Sequence, residues 1–184
     1  MIINESSPFI VPIIEEGVYI GCGCFIGDLF MTAAHVVMNN NSFIYIQDQR
    51  IQLLTKDAEI FSFVADEDDS KVSDYAIFRI QGINSPMCVS NQPLIIGDKI
   101  ECMFAIPGDG TSSGPHYEIH SVPGTVEQRI FSFYACQMYG PIRPGLSGSP
   151  IMRNNQVVGI LSRGPEDVSI SPLVYIQSIP KYDF

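Results

Sequence analysis

The sequence predicts an all-β fold, on three observations. Thirteen prolines and fifteen glycines in 184 residues punctuate the chain too often for long helices. Between them stand many short runs rich in Val, Ile, Phe and Tyr, residues that suit a pleated, half-buried surface. Hydrophobic residues make up 46% and charged residues 16%, which is enough apolar surface for a core and too little charge for a disordered chain. The length favours one structural unit, and a polar stretch divides it into halves with comparable numbers of strands.

Residues Ile10 to Ile14 are apolar around one proline, and Val18-Tyr19-Ile20 leads through glycines and cysteines into Phe25-Ile26. Short strands broken by tight bends are expected there. The run Leu29 to Val37 reads as an apolar strand entering Thr32-Ala33-Ala34 and then His35. Small residues let the backbone turn closely and present an imidazole at a strand end, although a buried core histidine fits the same segment. Strands are expected over Phe43 to Gln47, Arg50 to Leu54 and Ile60 to Val64, followed by Asp66 to Asp69 as a solvated acidic loop.

Ser73 to Ile80 alternates as a strand and carries Asp74 at its mouth, where a carboxylate can cap a turn or sit beneath an imidazole. Asp74 is the acid paired with His35. The polar text from Gln81 to Pro93 marks a linker, so the organisation expected is a first half over 1–85, a linker over 86–96 and a second half over 97–184. Strands of the second half are expected at Lys99 to Ile106, Tyr117 to Val122, Ile130 to Met138, Gln156 to Arg163 and Leu173 to Ile179. A long loop spans Pro107 to Pro115.

The segment Gly145-Leu146-Ser147-Gly148-Ser149-Pro150 places two glycines around one serine. Such a turn can converge backbone N–H groups beside an exposed hydroxyl, and alone it fits a polar surface turn equally well.

Charge and cysteine content bound the function. A net charge of −10 with scattered Lys and Arg leaves no basic stripe for a phosphate backbone, so no nucleic acid partner is expected. No apolar run approaches the roughly 20 residues that cross a bilayer, and Met1 to Glu5 lacks the basic start of a leader. The expectation is a soluble, cytoplasmic protein without a membrane partner; a removed signal would leave no trace, so secretion stays open. Cys22, Cys24, Cys88, Cys102 and Cys136 are odd in number and without a pairing rhythm, which predicts free thiols in a reducing compartment. Cys22-Gly23-Cys24 looks like half of a metal site, but no second Cys/His pair stands at ligand spacing, so neither metal nor cofactor is expected. Oligomeric state is left open.

His35, Asp74 and Ser147 thus stand in that order, the first two in one half and the third in the other. A serine nucleophile needs a histidine to take its proton and a buried carboxylate to orient the imidazole. On Thr32-Ala33-Ala34-His35, Asp74-Tyr75-Ala76, Gly145 to Pro150 and Gly159-Ile160-Leu161-Ser162-Arg163-Gly164, the chain resembles the trypsin-like (chymotrypsin-fold) serine proteases. The plainest likeness is to the compact bacterial branch of glutamyl endopeptidases and HtrA-type proteases, without the PDZ-like extension common in the latter.

The resemblance implies two antiparallel six-stranded β-barrels packed together, with the active site in the cleft between them. It implies a serine endopeptidase acting on a protein or peptide substrate through His35, Asp74 and Ser147, with an oxyanion hole made by the N–H groups of Gly145 and Ser147. Ser162 would hydrogen-bond Asp74, and Ser162 and Gly164 would offer backbone groups to an extended peptide. Pro141, Leu161 and Leu173 would line the specificity pocket beside Arg163, implying cleavage after a small or medium apolar residue; Glu166 and Asp167 would lie at its rim. Val36 and Arg143 stand where digestive members have cysteines, and Leu146 stands where they have the aspartate that receives a freed N-terminus. The same residues also fit a catalytically inactive binding module on the same fold or a narrowly specific cytosolic activating protease.

Overall fold

A computed structural model describes residues 9–108, 116–164 and 172–184. The expectations placed on Met1 to Glu5, on 109–115 and on Glu166 and Asp167 lie outside the described residues.

Seven strands form the first half: β1 (Ile10–Glu15), β2 (Val18–Ile26), β3 (Leu29–Thr32), β4 (Ser42–Ile46), β5 (Gln49–Leu53), β6 (Ile60–Val64) and β7 (Ser73–Arg79). They make one antiparallel sheet in the order β5-β4-β1-β2-β3-β7-β6, with the short helix α1 (Ala34–Val37) after β3. The second half is a closed barrel, β10-β13-β12-β11-β8-β9, made of β8 (Lys99–Pro107), β9 (Tyr117–Ile130), β10 (Phe133–Met138), β11 (Pro150–Arg153), β12 (Gln156–Arg163) and β13 (Leu173–Ser178). The architecture is all-β and chymotrypsin-like.

One correction concerns the first half, which is an open, barrel-like sheet of seven strands and not a closed barrel of six. Its edge strands β5 and β6 follow each other in the chain, but Thr55–Asp57 winds a 3₁₀ turn between them, with Asp57 N–H donating to Leu54 O and Ala58 N–H to Thr55 O. That turn carries the chain away from β5, so no hairpin closes the ring.

Two further expectations change. Val18 to Ile26 is one continuous strand, because its glycines serve close packing and not bends: a Cβ on Gly21 would lie 2.9 Å from Ser147 O. Tyr117 to Ile130 is likewise one strand of 14 residues running through Pro123. Pro123 sits just past the last β9–β10 pair, Met138 with Gly124, so its missing N–H interrupts no pairing there.

Three apolar clusters hold the halves. One fills the closed barrel around Val126, Met138, Ile142, Leu146 and Ile176, and another fills the open sheet around Phe25, Phe30 and Phe78. The third joins the two, packing Ile10, Cys22, Cys24 and Ile77 against Met103, Ala105, Met152 and Ile160. The connecting segment is irregular yet pinned: Ser85 exchanges backbone hydrogen bonds with Gly27, and Ser90 N–H donates to Val157 O at 3.0 Å. Arg153 gathers it further by donating to Ser90 Oγ, Gln92 O and Pro93 O.

Candidate active site

β3 ends at Thr32, and the small Ala33 and Ala34, both fully buried, let the chain turn directly into α1. His35 therefore stands in the first turn of a helix and not at a strand end. Two contacts fix it. Its Nδ1 lies 2.7 Å from Asp74 Oδ2, and its backbone N–H donates to Asp74 Oδ1 at 3.0 Å.

Asp74 enters from β7 and is 4% exposed. A buried carboxylate needs donors on both oxygens. It has them, because Ser162 Oγ, on β12 of the other half, also donates to Oδ2. The aspartate's own N–H donates to Gln177 Oε1 at 2.9 Å, and Gln177 Nε2 donates to the carbonyls of Ser132 and Ser178. With an acidic partner at Nδ1, the imidazole keeps its proton there and leaves the Nε2 lone pair free to accept another.

Ser147 is presented by a turn wedged against β2. Its carbonyl accepts from Cys22 N–H at 2.8 Å, Gly148 N–H donates to Leu161 O at 2.6 Å, and Ser149 Oγ donates to Leu146 O. Gly148 has φ +88, and a Cβ there would meet Cys22 O at 2.1 Å and Thr32 Oγ1 at 2.3 Å. Only glycine fits. Thr32 Oγ1 donates to Cys22 O at 2.7 Å and so braces the strand that receives the turn. Among the described residues, the N–H groups of Gly145 and Ser147 donate to no protein acceptor. The Ser147 hydroxyl donates to Ser162 O at 3.4 Å, and no hydrogen bond links it to His35.

His35, Asp74, Ser147 and Ser162 are thus brought together from both halves. A cleft of about 490 Å³ opens beside them, lined by His35, Phe63, Asp66, Glu67, Asp74 and Arg163 among others. Past Ile160, β12 pairs with β13 on one side and has no strand on the other among the described residues, so Ser162, Arg163 and Gly164 present a free edge.

The residues expected to wall a specificity pocket differ in exposure. Leu161 is 2% exposed inside the barrel, Leu173 is 48% exposed outside it, and Pro141 is on the surface. Strand alternation is the reason: on β13, Val174 and Ile176 point inward, which turns Leu173 and Tyr175 out. Leu146 is buried in the barrel core and offers no charge to an N-terminus.

Sequence reasoning missed Gln177 and the bracing role of Thr32. Gln177 follows the apolar run Leu173 to Ile176 within an expected strand, a signal that it needs a partner where that strand enters the core. All five cysteines are free thiols, and only Cys88 is exposed. Burial pushes Cys22 up to about 11 and Cys136 to about 12, and raises Cys24 and Cys102 as well.

A two-sheet β fold with His, Asp and Ser converging between the sheets defines the trypsin class of proteins. The Trypsin family model matches residues 3–183, and the chain belongs to that family. Solved structures with the same fold include the Rv3671c protease of M. tuberculosis in its inactive form, at 21% identity and TM-score 0.62 over 94% of this chain and 84% of that one. Neuropsin from mouse brain aligns at 16% identity and TM-score 0.69, covering 96% of this chain and 92% of its own. A scabies mite inactivated protease paralogue aligns at 15% identity and TM-score 0.63, over 94% and 88%. Among curated proteins none matches the sequence.

Proposed function

We propose that this chain is a serine endopeptidase acting through Ser147, His35 and Asp74. The reading is carried by one observation: Asp74, buried and held by three donors, binds Nδ1 of a His35 that lines the cleft, and Ser162, which donates to that carboxylate, accepts from the Ser147 hydroxyl. His35 Nε2 takes the proton of Ser147 Oγ as that oxygen bonds to the scissile carbonyl carbon. The resulting oxyanion is received by the N–H groups of Gly145 and Ser147, a contribution that typically changes rate by about 10²–10³ per donor. The imidazolium, stabilised by Asp74, returns the proton to the leaving amine as the C–N bond breaks. Water then cleaves the acyl-enzyme by the same steps in reverse roles.

The substrate pairs as an extended strand with the free edge at Ser162 to Gly164. We assign it a small or medium apolar residue before the cleaved bond, since Ile142, Leu146 and Leu161 fill the barrel interior behind the serine turn. A cleavage profile on a peptide library dominated by Lys, Arg or Glu at that position overturns this assignment. Free, buried thiols and the absence of cysteine at Val36 and Arg143 support a reducing, cytoplasmic setting and a place in the compact branch.

A second reading, an inactive binding module, is favoured by the Ser147 hydroxyl donating to Ser162 O and not to His35. Labelling with a fluorophosphonate probe separates the two. The endopeptidase reading expects wild-type protein to label and Ser147→Ala to stay blank; a blank wild type establishes the binding module.

A further inference from the structure

The connecting segment and the β9–β10 turn enclose a second cleft, about 830 Å³, that shares no lining residue with the cleft at His35. Its walls include Pro93, Leu94, Arg129, Phe131, Tyr134 and Lys181, and none of its lining residues is acidic. In a chain with 20 acidic and 10 basic residues, a cleft that holds two cations and no carboxylate is an electrostatic exception. Neither cation forms an ion pair among the described residues, and Arg129 lies 5.8 Å over the Tyr134 ring and donates from Nε to Phe131 O.

Phe131 adds an independent sign. It occupies the left-handed region at φ 54, and every other non-glycine residue there among the described residues is Asn, Asp, Gln or Glu. A bulky aromatic in that conformation is strained, yet its side chain is 60% exposed and gains little packing in return. A turn that keeps a strained, solvent-facing aromatic beside two cations without an acidic partner is shaped to meet a partner.

We propose that this cleft docks an acidic segment of a protein substrate, with Arg129 and Lys181 receiving carboxylates and Phe131 an apolar side chain between them. Calling the partner a substrate rests on the endopeptidase reading; the docking itself does not. The complementarity is of charge and of apolar contact together, which sets both affinity and orientation.

The test uses the full chain carrying Ser147→Ala, so that binding is read apart from catalysis, and a fluorescein-labelled peptide alternating Glu with Leu and Phe. Anisotropy is expected to show saturable binding that weakens with salt, falls at least about tenfold for the Gln-for-Glu peptide, and falls as much in Arg129→Gln/Lys181→Gln. Phe131→Gly is expected to weaken binding while raising the melting temperature by about 2–4 °C through relief of the left-handed strain. Equal binding of the Glu and Gln peptides overturns the proposal. So does unchanged binding in the double variant while its melting temperature matches the parent, or binding of phosphatidylserine vesicles without binding of the peptide.

Discussion

His35 and Asp74 are tied to each other twice, ring to carboxylate at 2.7 Å and backbone N–H to the other carboxylate oxygen at 3.0 Å. The aspartate therefore sets both the tautomer of the imidazole and the position of the helix turn that carries it. Asp74→Asn is expected to keep the fold but present an amide where the imidazole needs an acceptor. Hydrolysis of an activated ester by the purified variant is expected to fall by about 10⁴ in kcat with little change in KM.

Gln177 reaches the same aspartate from behind, through the backbone. Gln177→Leu leaves the Asp74 N–H and two carbonyls without their buried partner, and is expected to cost about 1–3 kcal/mol in urea unfolding. Its effect on the ester hydrolysis is expected to appear in kcat, with Gln177→Glu restoring the accepting oxygen and part of the rate.

Gly148 bears on fold and site together. Gly148→Ala drives a Cβ into Cys22 O and Thr32 Oγ1 at a left-handed φ, so β2 and the serine turn must separate. Loss of about 2 kcal/mol or more is expected, with loss of fluorophosphonate labelling, measured side by side by denaturation and gel.

Buried thiols make stability sensitive to alkali. Cys22 ionises at 9.0 when free and at about 11 when folded, so the folded chain holds its proton more tightly. Below pH 9 the full stabilisation is present; from 9 to 11 the unfolded thiol ionises first and stability is lost. Urea midpoints are expected to fall over that window and to fall less in Cys22→Ala relative to its own value at pH 8. A thiol reagent under native conditions is expected to modify Cys88 at once and the other four only on unfolding.

Short apolar runs bounded by turn residues, such as β12 over Gln156–Arg163 and β6 over Ile60–Val64, stand where the pattern of residues places them. The glycines of β2 mark no bends, because a glycine in a strand can equally mark the approach of another backbone, here Ser147 O. His35, Asp74, Ser147 and Ser162 were singled out because their types, order and flanking small residues suit one chemistry. Leu161 and Leu173 were placed in one pocket by likeness of motif. Alternation along two paired strands sent them to opposite faces.

By itself, the sequence determined the all-β class, the residue types able to act on a carbonyl, and the tight glycine turn around Ser147. Each depends on local propensity and spacing, which neighbours along the chain suffice to define. Tertiary structure alone decided that the first sheet stays open and that Gln177 and Thr32 brace the site, whereas the Ser162 contact with Asp74, across 88 positions, stands as the resemblance implied. Those contacts join residues far apart in the chain, and burial is what makes each necessary, because a polar group removed from water must find its partner wherever the fold brings one.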